Sequence, residues 1–360
     1  MGKQDRMILI RADASERIGS GHISRCLVLA DQLRQKGASV IFACRGIAGN
    51  LIDFIEKKGY LVKKVPTNAA DTGFELDWTT DIQAVIQYCM PALQTRFDWV
   101  IIDHYGLDSR WEKHIRPYCT NIAVIDDLAD RAHDCDVLVD QNYYLNKNTR
   151  YDKLVPEHCR KLLGPQYALL RPEFMEKKCL IELPRKKVGR ILVFFGGSDL
   201  TNQTYKTLCG LEKLEANFII DVVVGSINPH KNSIEDLCKN RPNTNFHVQV
   251  SNMADLMAKA DLAIGAGGSA TWERCILGLP TITIVVADNQ LQISHDLAKI
   301  GVIQNLGWYT SVSEEMIVDA VYGVINNPAS LAAMSLRAAE LMQEIEGQQN
   351  PLSSIILEEI

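Results

Sequence analysis

Two doubly wound α/β domains in tandem are what this 360-residue chain predicts. Three observations carry the prediction. Short apolar runs alternate with segments of helical period, the βαβ rhythm of a parallel sheet covered on both faces. The rhythm halts once, across Leu180–Arg190 (LIELPRKKVGR), where Pro, Gly and charge cluster, and then restarts. Glycine-rich turns stand where strands hand over to helices, as at Gly19-Ser20-Gly21 and Gly265-Ala266-Gly267-Gly268-Ser269.

The elements follow in order. Met7–Arg11 (MILIR) reads as a strand and Ile23–Lys36 as a helix closed by Gly37. Ser39–Cys44 is the next strand, Asn50–Lys58 a helix ending at Gly59, and Tyr60–Val65 a short strand. Ile82–Leu93 reads as helical, while Trp99–Asp103, Asn121–Asp126 and Val137–Asp140 are apolar strands. After the linker, Arg190–Phe195, Phe218–Val224, Phe246–Val250, Leu262–Gly265 and Thr281–Val286 read as strands. Thr201–Leu214, Met253–Ala260, Ala270–Leu277, Gln292–Ile300 and Ser313–Ile325 read as the helices between and after them, with a helical tail from Ser330 to about Glu346. The expected division is an N-terminal domain over residues 1–180, a C-terminal domain over 190–346 and a tail over 347–360.

Composition narrows the class. Apolar residues make up 47% and charged residues 23%, which suits a globular protein. A net charge of −6 and scattered Lys/Arg argue against a nucleic-acid partner. No run of about 18 apolar residues suggests a bilayer span, and Arg6 stands where a myristoylation signal has Ser or Thr. No membrane partner and a cytoplasmic location are expected. The ten cysteines contain no C-x-x-C pair and read as reduced, mostly buried thiols. Neither H-E-x-x-H nor clustered Asp/His at ligand spacing is present, so no metal and no cofactor is expected, although a Mg²⁺ carried by a diphosphate is compatible with this.

Two stretches carry chemistry. In Ile18-Gly19-Ser20-Gly21-His22 a glycine turn precedes a helix, and Ser24 stands where a dinucleotide fingerprint needs its third Gly. What remains is a close-approach loop bearing one imidazole. For His22, general acid–base work competes with a packing or capping role, and its place after the first strand favours the former. Asp13 is either the carboxylate that orients His22 or a turn-forming Asp. In Asp261–Ile282 a buried strand ends in Gly265–Ser269 and a helix opens, so backbone N–H groups of Gly267 and Gly268 face an anion such as a diphosphate. Ser269 caps that helix or donates to phosphate. Glu273, one turn further, either accepts the hydroxyls of a ribose or is an ordinary first-turn acid. Asn289 and Gln290 follow a strand at the end where sugar hydroxyls are read, and Gly197 belongs to a third strand–glycine–helix turn, Gly196-Gly197-Ser198-Asp199.

The motifs together carry a resemblance. RADAS…GSGHISR, IIDHYGLD (Ile101–Asp108), IDDLADR (Ile125–Arg131), YALLRPEF (Tyr167–Phe174), FFGGSD (Phe194–Asp199) and GAGGSATWERCILGLP (Gly265–Pro280) occur in order over nearly the whole chain. In this combination the chain resembles the UDP-2,4-diacetamido-2,4,6-trideoxy-β-L-altropyranose hydrolases of pseudaminic acid biosynthesis. The resemblance implies the GT-B architecture, with two Rossmann-like domains facing a cleft as in the UDP-N-acetylglucosamine transferase of peptidoglycan synthesis. It implies a UDP-sugar partner, His22 as the catalytic base, and Arg171 and Glu273 as substrate-binding residues. The glycines of the first turn, Gly19 and Gly21, would then line the sugar, and the second glycine loop would hold UDP. Two rivals stand beside it: a transferase of the same architecture with a hydroxyl acceptor, and a non-catalytic nucleotide-sugar sensor that has no use for His22. The oligomeric state is left open.

Overall fold

The computed structural model describes residues 6–15, 17–67, 76–90, 96–214, 218–343 and 351–358. The chain divides into two compact units. The first comprises residues 1–142, 146–169 and 349–360, and the second comprises 143–145 and 170–348.

The first unit runs β1 (Met7–Ala12), α1 (Gly21–Gln35), β2 (Ser39–Arg45), α2 (Ile52–Lys57), β3 (Leu61–Val65), α3 (Trp78–Cys89), β4 (Phe97–Asp103), α4 (Ser109–Ile115), β5 (Cys119–Ile125), β6 (Val137–Asp140) and β7 (Arg160–Leu163). The seven strands form one sheet in the order β3-β2-β1-β4-β5-β6-β7, every pairing parallel. Strand alternation sorts the apolar residues into two layers. Ile8, Ile10 and Ala12 pack with Ile23, Leu27 and Ala30 of α1 on one face. Leu9, Val100 and Ile102 pack with Val85 of α3 and Trp111 of α4 on the other. Each fully buried Leu or Ile contributes about 1.5–3 kcal/mol against exposure.

The second unit runs α5 (Pro172–Lys178), β8 (Arg190–Phe194), α6 (Gln203–Glu212), β9 (Ile219–Val224), α7 (Lys231–Lys239), β10 (Thr244–Val248), α8 (Met253–Lys259), β11 (Leu262–Ala266), α9 (Ala270–Ile276), β12 (Thr281–Val285), α10 (Leu291–Lys299), β13 (Gln304–Trp308), α11 (Glu314–Ile325) and α12 (Pro328–Leu341). Its sheet has the order β10-β9-β8-β11-β12-β13, again with parallel pairings. In both sheets the strand order reverses beside the first strand, between β1 and β4 and between β8 and β11. Ligands of doubly wound sheets bind beyond the strand ends at that reversal.

Several boundaries differ from expectation. The division falls at residues 169/170 instead of across 180–190, because α5 belongs to the second unit through its packing on α8 and α9. The residues expected as a tail include a helix, Pro351–Glu358, that returns to the first unit and buries Leu352, Ile355 and Ile356 in the α1 layer. The third helix begins at Trp78, four residues before Ile82, because Asp77 caps it by accepting the Thr79 N–H at 3.1 Å. Its expected end at Leu93, and that of the last helical pattern at Glu346, lie outside the described residues. Strands β7 and β13 and helices α4, α5 and α7 had no sequence expectation. The two strands are sheet edges of four and five residues (RKLL, QNLGW), too short and too polar for periodicity to register. Helix α7 buries only Ile234 and Cys238.

Candidate active site

In the first unit, β1 and β4 lie side by side with Ala12 opposite Asp103. The backbone leaves β1 at Asp13 and turns through Ser15–Gly19. The Gly19 N–H donates to the Ser15 carbonyl at 2.8 Å, and Gly19 takes φ +78°, a conformation that favours glycine. The chain then enters α1 at Gly21, which puts His22 in the first helical turn.

His22 is buried, and its Nδ1 is bonded to the Asp103 carboxylate. One turn on, Arg25 donates Nε and Nη2 to the two oxygens of Asp103, each at 2.6 Å. The Tyr105 ring stands edge-on to the imidazole, centroids 4.6 Å apart. Burial pushes the Asp103 carboxyl up, but Arg25 and then His22 outweigh it and hold it well below the carboxylate range. An ionised Asp103 accepts only. It therefore fixes the proton of a neutral His22 on Nδ1 and leaves the Nε2 lone pair available. Among the described residues nothing hydrogen-bonds Nε2.

Asp13 does not orient His22. Its carboxylate takes Arg11 Nη1 and Nη2 at 2.7 and 3.0 Å, and Arg45 Nε at 2.6 Å. His104 Nε2 lies 3.3 Å away. His104 Nδ1 accepts the Gly106 N–H at 2.9 Å, so the imidazole proton sits on Nε2, facing Asp13. Arg11 continues to Asp81, which also accepts the Trp111 indole N–H at 2.8 Å. Burial raises the Asp13 carboxyl, yet Arg11 and His104 hold it well below its ordinary value. Asp13 thus ties β1 to β2 and β4. The orienting carboxylate is Asp103, the last residue of the WVIID strand, to which the sequence alone assigns no role.

In the second unit the Gly265–Ser269 loop joins β11 to α9. A Cβ on Gly265 would run into the Phe194 carbonyl, so that position requires glycine, and one on Gly267 would push the Ser294 hydroxyl aside. The Gly267 N–H is already taken by Gln290 Oε1 at 3.2 Å, which also accepts the Val286 N–H at 3.2 Å. Gln290, expected to read sugar hydroxyls, therefore pins the loop through its oxygen. Gly268 and Ser269 have no N–H acceptor among the described residues, and the Ser269 side chain makes no cap bond, leaving its hydroxyl unspent. Asn289 lies in the single turn Asp288–Gln290 after β12. Gly197 follows β8 on the neighbouring strand, where a Cβ on Gly225 would collide with it.

Arg171 and Glu273, expected separately on the substrate, are joined to each other. Arg171 donates Nε and Nη2 to Glu273 Oε1 at 3.1 and 2.9 Å, and its Nη1 reaches Glu173 at 3.1 Å. Both guanidinium edges are engaged by carboxylates. Burial pushes the Glu273 carboxyl up against the pull of Arg171. Its second oxygen, Oε2, has no partner among the described residues.

Two parallel sheets of this order, each with a glycine turn at its reversal point, decide the architecture. The fold is GT-B. The crystal structure of Acinetobacter baumannii MurG superposes at a TM-score of 0.69 over 98% of this chain and 99% of that one, at 14% identity. Residues 191–349 match the glycosyltransferase family 28 C-terminal domain. The resemblance carried by the sequence motifs holds across the GT-B chain: it is 29% identical to UDP-2,4-diacetamido-2,4,6-trideoxy-β-L-altropyranose hydrolase of Campylobacter jejuni over 82% of this chain and 97% of that protein. It is also 29% identical to the spore coat polysaccharide biosynthesis protein SpsG of Bacillus subtilis, over 43% of this chain and 46% of the relative. Among the described residues no helix is long and apolar enough to cross a membrane, and no group of His, Cys, Asp and Glu is arranged to hold a metal ion.

Proposed function

We propose that this protein hydrolyses UDP-2,4-diacetamido-2,4,6-trideoxy-β-L-altropyranose to UDP and 2,4-diacetamido-2,4,6-trideoxy-L-altrose. The observation that carries the reading is the pairing of His22 Nδ1 with an ionised Asp103, which leaves Nε2 as a base with no partner among the described residues. The named hydrolase among its relatives, matched over nearly its full length, supplies the substrate class. In this scheme His22 Nε2 takes a proton from water as the water oxygen attacks the anomeric carbon. The bond from that carbon to the diphosphate oxygen breaks, and UDP leaves with the electron pair. UDP is a good leaving group, so no second carboxylate is needed as acid. One direct displacement inverts the anomeric centre.

The second unit is assigned the nucleotide. The N–H groups of Gly268 and Ser269, with the Ser269 hydroxyl, suit the diphosphate. Glu273 Oε2 suits the ribose hydroxyls, and Arg171 holds Glu273 in place. Gly19, Gly21 and Gly197 are assigned to close approach by the substrate, and Asn289 to the sugar. A base offered to the sugar and backbone N–H groups offered to the diphosphate suit attack at the anomeric carbon, with UDP leaving intact.

The glycosyltransferase family match supports a second reading, transfer of the sugar to a hydroxyl acceptor. UDP release from the altrose nucleotide sugar in buffer without acceptor separates the readings. Fast turnover supports the hydrolase, release only on adding an acceptor supports the transferase, and binding without release supports a sensor. Run in ¹⁸O-water and weighed early, the label belongs in the sugar; label in the UDP phosphate would overturn the mechanism given to His22.

A further inference from the structure

Arg274 is fully buried, and among the described residues it forms no ion pair, the Glu273 charge acting on it only from beyond contact distance. The other fully buried arginines, Arg11 and Arg45, both pair with Asp13. The nearest acid in sequence, Glu273, gives Oε1 to Arg171. Burial lowers the Arg274 guanidinium to about 10, so it remains a cation at neutral pH. A buried cation without a counter-ion is costly, and such groups are kept where something compensates them.

Its surroundings point to the glycine loop. Nη2 donates to the Ala266 carbonyl at 2.7 Å and to Thr271 Oγ1 at 3.0 Å. Nη1 lies 3.1 Å from where a Cβ on Gly265 would stand. Nε is buried with no partner. The Ala266 carbonyl and the Gly267 N–H belong to one peptide, so the guanidinium polarises the first amide of the loop and places a positive charge behind it. Gly265 leaves the space that the guanidinium fills.

We propose that Arg274 is the positioning cation of the diphosphate seat: it sits behind Gly265–Gly267, never touches the ligand, and makes the loop prefer a nucleoside diphosphate over an uncharged nucleoside. The proposal rests on the reading that the second unit binds UDP. A cation screened by protein instead of water acts on an anion several ångströms away with little loss to salt.

The test is calorimetry of UDP and uridine on the full chain and on Arg274→Gln and Arg274→Lys. Arg274→Gln should weaken UDP at least about tenfold and uridine less than about threefold. Arg274→Lys, which keeps the charge, should restore most of the UDP-over-uridine ratio. A purely structural role would move both ligands together in both variants. If the unaltered protein binds no UDP, the nucleotide reading fails and this proposal with it. If the unaltered protein binds UDP and Arg274→Gln binds it within threefold, the proposal alone is overturned. Should Arg274→Gln fail to fold, Arg274→Lys decides: a retained ratio supports the proposal and a lost ratio overturns it.

Discussion

Replacing Asp103 with Asn removes one charge and leaves the shape. Asp103 accepts three close hydrogen bonds, from Arg25 Nε, Arg25 Nη2 and His22 Nδ1. An Asn has one accepting oxygen and one NH₂. Oδ1 meets both His22 Nδ1 and Arg25 Nη2, and Oδ2 meets Arg25 Nε, so in either orientation the NH₂ faces an Arg25 donor at 2.6 Å. In either orientation, too, the negative charge that steadies an imidazolium on His22 as it takes a proton from water is gone, and the base is lost with it. Loss of general-base catalysis is worth about 10²–10⁴ in rate, or about 2.7–5.4 kcal/mol at 1.36 kcal/mol per tenfold. Breaking the buried pair with Arg25 also costs stability, about 3–5 kcal/mol, so rates are compared only below the variant's melting transition. UDP release in buffer is the measurement that checks this. Because the two residues act as one unit, Asp103→Asn combined with His22→Asn should be no slower than His22→Asn alone. Turnover within threefold of the unaltered protein would refute the reasoning.

Two further predictions concern stability. Burial and then the nearby Asp127 raise the Asp140 carboxyl to about 8, against the Asn142 N–H and Arg150. Between about pH 4 and 8 the folded protein keeps a proton that the unfolded chain releases, so this group costs stability as pH rises, by at most about 1.4 kcal/mol per pH unit. Asp140→Asn, which cannot titrate, should match the unaltered protein in unfolding free energy from urea titration near pH 5 and exceed it by a few kcal/mol at pH 8; an equal difference at both pH values contradicts the assignment. Ile356→Ala, deep in the α1 layer, should cost about 2–5 kcal/mol, and an unchanged melting temperature would mean that the terminal helix contributes little to the first unit.

The doubly wound class was legible because buried parallel strands are short apolar runs, and the strands that carry the site (MILIR, WVIID, LAIGA) are of that kind. Edge strands β7 and β13 were illegible because an edge needs no apolar run. Within the site, His22, Glu273 and the glycine loop could be found because each stands beside a glycine turn in sequence. Asp103 could not: it lies 81 residues from His22, and only strand order makes the two neighbours. The order was nonetheless implied. In a doubly wound sheet the strand after the reversal returns to lie beside the first, so a polar residue ending that strand faces the turn that follows β1. Applied to WVIID, this rule points to Asp103 from the sequence.

The same rule explains why Asp13, one of whose two expected roles was to orient His22, does not do so. Asp13 is near His22 in sequence, but it leaves the end of β1 toward β2 and Arg45, while the first turn of α1 crosses over β4. Sequence proximity across a strand–turn–helix junction measures the turn and not the direction of the side chains it joins. The two carboxylates, Asp13 and Asp103, end adjacent strands and each meets a separate set of cations: Arg11 and Arg45 at one, Arg25 and His22 at the other. Arg25 and His22 share one helix, four residues inclusive, so α1 brings both partners of Asp103 as a single rigid piece. That coupling makes the tautomer of His22 depend on the position of α1. The terminal helix, which packs on α1 and takes the Lys36 ammonium on Ser354 at 2.9 Å, therefore belongs to the support of the imidazole although it stands at the far end of the sequence.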